Sequence, residues 1–160
     1  MTDTLKSICE QCIHLNNPQL DFIPIERGRH REIILRDLQE LVSAASAEMQ
    51  KTVIILAGCI LESALYTFLQ SQEAFIAVRR GGFQFDPTTG LADYINIFNR
   101  WFRDRLPGVE LREAHVTYRH LVHFNRELDS PQDICARAAP EMLRVLDRLL
   151  GELSQFAGPA

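Results

Sequence analysis

The run from Val53 to Leu69 is apolar on nearly every side of a helical wheel, and no other segment constrains the fold as much. A helix without a polar face must be surrounded, either by other helices or by lipid. The run is shorter than the about 20 residues that cross a bilayer, and Glu62 stands in its middle, where a bare carboxylate is costly. The expectation is a buried central helix with Glu62 hydrogen bonded or paired with an Arg.

Neighbouring segments supply the cover. Ile34, Leu38, Leu41, Val42, Ala45 and Met49 recur at helical spacing and predict an amphipathic helix over about 30–49, with a bend at Gln50-Lys51-Thr52. Leu91, Ile95, Phe98 and Phe102 predict another over about 89–104, with Trp101 anchoring its edge. A last helix opens with Ser130 as N-cap and Pro131 as its first residue. It carries an apolar stripe from Ile134 to Phe156 and a kink near Arg137 imposed by Pro140. Residues 74–87 read equally as a hairpin, a frayed helix end or a loop. With 160 residues and no linker or internal repeat, one domain is expected over 1–160. Its fold class is all-α: an antiparallel up-and-down bundle of four to five helices, with its core at about 30–156 and an N-terminal helix and loop at 1–29.

Composition narrows the function classes. Hydrophobic residues make up 46% and charged residues 24%, which excludes a disordered or fibrous chain. A net charge of -4 gives no global field for nucleic acid, so any polyanion contact is local. Among the 17 basic residues only Lys6 and Lys51 are lysines, and Arg suits bidentate phosphate contacts. The four Cys are few and unevenly spaced, and residues 1–10 have no apolar signal segment, so a reducing cytoplasm and no membrane association are expected. Cys9, Cys12 and His14 invite a zinc reading, but a second ligand pair is missing, so core packing is the expectation and no metal or cofactor is implied. Gly81-Gly82 lacks the Lys-Ser or Lys-Thr of a phosphate loop.

Residues 110–127 carry the chemistry. A wheel puts Leu111, Ala114, Tyr118, Leu121 and Val122 on one face, and Arg112, His115, Arg119, His123 and Arg126 on the other. Arg119 and His123, at i and i+4, converge on one group, and a phosphate fits. The imidazole can move a proton to or from a ribose or leaving oxygen while the guanidinium counters phosphoryl charge. Arg112, His115 and Arg126 are then nucleic-acid contacts, and Glu62 orients Arg119 or His123 from behind. The same stripe also reads as a solvated helix face, although single-sign runs at helical spacing repel unless an anion or acid uses them. Two further clusters, Arg27, Arg29, His30 and Arg31, and Arg100, Arg103 and Arg105, either extend an RNA surface or are solvated helix ends.

Tyr118-Arg119-His120-Leu121-Val122-His123 resembles the signature of the HEPN (higher eukaryotes and prokaryotes nucleotide-binding) superfamily, often Tyr-Arg-Asn-Leu-Val-His. Ala57-Gly58-Cys59-Ile60-Leu61-Glu62-Ser63-Ala64-Leu65 is similar to its central helix, and Leu91-Ala92-Asp93-Tyr94-Ile95 to the helix that precedes the signature. The resemblance implies a HEPN-like bundle that forms a homodimer with signature helices facing. It also implies, in active members, a metal-independent endoribonuclease cleft, often in toxin or antiphage systems with an antitoxin or other protein partner. By position, Arg119 meets the scissile phosphate, His123 is the acid/base and His120 fills the polar slot. The Arg119 to His123 spacing is shorter than active members usually have, and Phe124 stands where Pro is common. Non-catalytic members serve as nucleotide-binding, partner-binding or scaffolding modules, the alternative for this chain.

Overall fold

The structure, a computed structural model, describes residues 3–72, 89–123 and 127–156. Among these residues seven helices follow in order: α1 (Leu5–Gln11), α2 (Ile13–Asn16), α3 (Gly28–Ser46), α4 (Gln50–Ser71), α5 (Leu91–Trp101), α6 (Glu113–Arg119) and α7 (Ile134–Gln155). Short 3-10 turns lie at Ile25–Arg27 and His120–Val122, and no strand occurs among the described residues. The expected all-α bundle is present, with α3, α4, α5 and α7 as its long members. The alternatives for 74–87 lie outside the described residues, as do Phe124 and Arg126.

Helix α4 is the axis, and α3, α5, α6 and α7 all pack on it. Val53, Ile54, Ala57, Ile60, Leu61, Leu65 and Leu69 are buried on it. By length and composition α4 can cross a membrane, being longer than its apolar run, yet most of it is buried within the fold. Burial, and not length, marks it as a core helix. Cover is incomplete along one stripe, where Cys59, Glu62, Ser63, Tyr66 and Gln70 are only half-buried. Toward its C-terminal end, Phe68 meets Phe102 and Phe156 edge-on at ring-centroid distances of 5.0 and 5.2 Å, and Phe98 at 6.2 Å.

The end of α3 and the start of α7 differ from the sequence reading. Helix α3 stops at Ser46, before the expected bend, because the chain turns through Glu48 in the left-handed region at φ 57°. The turn aims the Glu48 carboxylate at the start of α1, where it accepts from the N–H groups of Leu5 and Lys6 at 3.0 and 2.9 Å. Those backbone hydrogen bonds hold the Glu48 carboxyl below its ordinary range. Met49 is consequently 51% exposed and does not complete the α3 stripe. Helix α7 begins at Ile134, not at Pro131, since Ser130 and Pro131 form a turn in which Ile134 N–H donates to the Pro131 carbonyl at 3.0 Å. Helix α7 runs on through Pro140, whose absent N–H leaves the Ala136 carbonyl on an exposed face.

The N-terminal pair is tied down by α7. Asp147 Oδ1 accepts from the N–H groups of His14 and Leu15 at 2.8 and 3.0 Å, serving the orphan donors of α2. The His14 ring lies over Gly151, where any Cβ would collide with it. Cys9 and Cys12 are buried, and burial pushes both thiols up, Cys12 to about 12. They fill core volume as protonated thiols.

Phe68→Ala is expected to cost about 3–5 kcal/mol of stability in denaturant unfolding, the range for a large aromatic removed from a packed core. A loss below about 1 kcal/mol at this position would contradict a rigid aromatic cluster.

Candidate functional site

The signature segment is not one helix. Helix α6 covers only Glu113–Arg119, a single 3-10 turn follows at His120–Val122, and His123 is extended at φ -85° and ψ 122°. The expected helix over 110–127 therefore breaks between Arg119 and His123, and the i, i+4 geometry that would make them converge is absent. No hydrogen bond or ion pair joins these two among the described residues. The rings of His120 and His123 are instead near neighbours, edge to face at 6.1 Å, and both residues are exposed. His120 also lines a recess of about 370 Å³ with Glu113, Thr117 and Asp129. Glu127 pairs with Lys51 of α4.

Helix α6 is also rotated from the wheel's assignment. His115, placed by the wheel on the outer face, is 1% exposed, while Val122, placed on the inner face, is 38% exposed. A buried imidazole needs partners on both nitrogens, and it has them. The Arg112 backbone N–H donates to Nδ1 at 3.0 Å, so Nε2 carries the proton and faces Glu141 Oε1 at 3.2 Å. Tyr118 donates to Glu141 Oε2 at 3.1 Å, and the Arg112 guanidinium pairs with Oε1. Desolvation pushes the His115 pKa down, outweighing the hydrogen bond and charge of Glu141. Burial alone would raise the Glu141 carboxyl, but the Tyr118 hydroxyl, Arg112 and His115 together hold it below its ordinary range. Glu141, on α7, was not singled out by the sequence reading. Its sequence neighbourhood is the polar side of an amphipathic helix, and only packing brings it to α6.

Arg119 points the other way, onto α4. Its stem lies across Gly58, where an added Cβ would collide with Cδ, and Nε stands 3.9 Å from Glu62 Oε2. Nε is buried and has no hydrogen-bond partner among the described residues. The expected link between Glu62 and Arg119 is thus present, made possible because Gly58 lets the side chain approach one turn earlier. Arg119 also counters part of the burial that pushes the Cys59 thiol up. On its other flank Glu62 borders a cleft of about 290 Å³ between α3, α4 and α5.

Much of the remaining basic set is engaged in holding the fold together. Arg27 bonds the Gln70 amide, Arg31 donates to the carbonyls of Leu20 and Ile23 at 3.1 and 3.3 Å, and His30 meets Thr67. Arg100 lies over Trp101 and Arg105 over Phe156, at 5.4 and 5.1 Å from the ring centroids. Arg29 and Arg103 are exposed. Among the described residues no group of three or more His, Cys, Asp or Glu side chains is placed to hold a metal ion.

The His115 network has a pH signature. The unfolded chain binds the imidazole proton near the ordinary value of 6.5, the folded chain only at lower pH. The stabilising contribution is therefore complete above that value and is lost as pH falls below it toward the folded value. Protonation would also set an Nδ1–H against the Arg112 N–H. Thermal unfolding from pH 7.5 to 5 should show this loss in the wild type and a flatter profile in His115→Asn; identical profiles would contradict it. Glu141→Ala, which strands His115 and Tyr118, should cost about 1–3 kcal/mol.

No family model matches this chain, and comparisons with curated proteins and with solved structures likewise find no match.

Proposed function

We propose that the chain is a HEPN-like, RNA-directed protein that acts as a homodimer, with Arg119 and His123 handling an RNA phosphate as a metal-independent endoribonuclease. A toxin or antiphage role in the cytoplasm, under an antitoxin or similar partner, is the setting that fits such an activity. One observation carries the reading: Arg119 is seated between Gly58 and Glu62 with its side chain still part-exposed, and exposed His120 and His123 follow within one turn of chain. In the reaction, His123 takes the proton of a ribose 2′-hydroxyl, and the 2′-oxygen attacks the adjacent phosphorus. The P–O5′ bond breaks, and a proton returns to the 5′-oxygen from a second histidine, supplied by His120 or by the other subunit. Arg119 counters charge on the phosphoryl oxygens.

A second reading is favoured by the Glu141 network, which engages Arg112 and His115 within the chain and leaves a smaller cationic edge. On that reading the domain is a non-catalytic module whose Arg119 and His123 meet acidic groups of a partner.

Cleavage of a structured RNA pool in excess chelator separates the two. His123→Ala should lower the rate about a hundredfold or more, with unchanged thermal stability. Gly58→Ala, which displaces the Arg119 stem, should lower it too, without replacing either working residue. Absent cleavage, or equal rates in wild type and His123→Ala, would leave the partner-binding module as the reading.

A further inference from the structure

Helix α6 is closed at its start by a histidine. In a capping box the residue three positions into the helix bonds the N–H of the cap residue, and Glu or Gln ordinarily does so. Here His115 stands in that position. Its Nδ1 accepts from the Arg112 N–H at 3.0 Å, while its own backbone N–H donates to the Arg112 carbonyl at 3.0 Å. A Glu or Gln oxygen accepts throughout the neutral and mildly acid range. An imidazole Nδ1 accepts only while it carries no proton, and imidazole ordinarily takes one up between about pH 5 and 8.

The opposite nitrogen reaches another helix. Nε2–H meets Glu141 Oε1 at 3.2 Å, so one neutral ring joins the start of α6 to α7. The ring is 1% exposed and lies beside Tyr118, with ring centroids 6.3 Å apart, so it cannot reach water without opening the segment. Turned over in place, it would set carbons where both nitrogens now stand. Burial opposes a charge on this ring most strongly; Glu141 of α7 and Glu110 of the preceding loop favour one, and Arg112 opposes it. The Glu141 carboxylate is already shared with Arg112 and Tyr118, and Arg137 of α7 pairs with Asp133. From α4, Cys59 and Glu62 face Arg119 at the far end of α6, and α5 meets the segment through the neutral Asn99 amide, which donates to the Leu111 carbonyl at 2.9 Å. A proton on Nδ1 would thus oppose the Arg112 N–H directly. With only seven residues, α6 depends on its cap and its packing, since a helix this short is not stable alone.

We infer that His115 is a proton-operated latch: as the neutral ring it caps α6 and ties it to α7, and on protonation it lets go of the Arg112 N–H and frees the start of the helix. Arg119 is the last residue of α6, so its seat over Gly58 depends on the latch. The inference holds on either reading of the signature segment, because the latch acts on α6 itself, and its test involves no RNA.

Amide hydrogen exchange of the full chain, read residue by residue by NMR at steps from pH 7.5 to 5 and corrected for the intrinsic rate at each pH, tests it. Protection of the Arg112 N–H and of the N–H groups of residues 117–119 should fall about fivefold or more over that range, while α4 and α7 keep theirs. His115→Gln restores an ordinary capping-box residue, with an amide oxygen for the Arg112 N–H and an amide N–H for Glu141, and should hold α6 protected throughout. Unchanged protection of α6 in the wild type, a loss spread evenly over α4 and α7, or the same α6 loss in His115→Gln would each overturn the latch. Should that variant fail to fold, the wild type still decides. A single histidine requires the loss to set in near pH 6.5, the ordinary imidazole value, and to grow by no more than about tenfold per pH unit; a steeper or later loss overturns the latch.

Discussion

Burial of α4 is the constraint on which the rest of the molecule depends. A helix this apolar must be covered, and α3, α5, α6 and α7 cover it from four directions. Each neighbour removes a strip of apolar surface from water, at roughly 25 cal/mol per Å². The cover stops at Cys59, Glu62, Ser63 and Tyr66, the positions where α4 carries polar atoms or a half-exposed aromatic ring. The cleft and the Arg119 seat both lie on that gap. A fold that closed over Glu62 would have left a buried carboxylate to be satisfied, and one that exposed more of α4 would have lost core.

Among the described residues two carboxylates engage Arg112, His115 and Arg119 of the signature segment. Glu141 of α7 takes Arg112 and His115, with Tyr118 as a third partner, and so locks α6 against the last helix. Glu62 of α4 faces Arg119 alone, at a distance that leaves the guanidinium Nε without a hydrogen bond. The first arrangement is saturated and serves stability, since every partner is consumed within the chain. The second is looser, with Nε buried and without a hydrogen bond among the described residues while the Arg119 side chain stays 27% exposed. His120 follows on a 3-10 turn and His123 on extended backbone, and both stay exposed just after Arg119 in the chain.

Small features set these positions. Gly58 gives the Arg119 stem its path over α4, and a methyl group there would block it. Glu48, in a left-handed turn, caps α1 from the far end of α3, while Asp147 caps α2 from α7. The N-terminal residues are thus joined to the bundle by hydrogen bonds to carboxylates as well as by Leu5, Ile8, Cys9 and Leu15 in the core.

The sequence by itself determined the class of the fold and most of its long helices. Apolar periodicity reports which faces must be buried, and that demand is local in α3, α4, α5 and α7. It also pointed to an Arg partner for Glu62, and Arg119 stands 3.9 Å from it, although Glu62 sits half-buried at the edge of the cover and not enclosed. How the signature segment divides is set by contacts that form only when distant helices pack together. The wheel assumed one helix from 110 to 127, and under that assumption His115 and Arg119 share a face. Contacts from outside the segment, Glu141 on α7 and Gly58 with Glu62 on α4, instead draw His115 inward and Arg119 onto the axis. Such contacts leave no mark on local periodicity, because their partners lie far away along the chain. The same holds for the cleft, whose walls come from three helices.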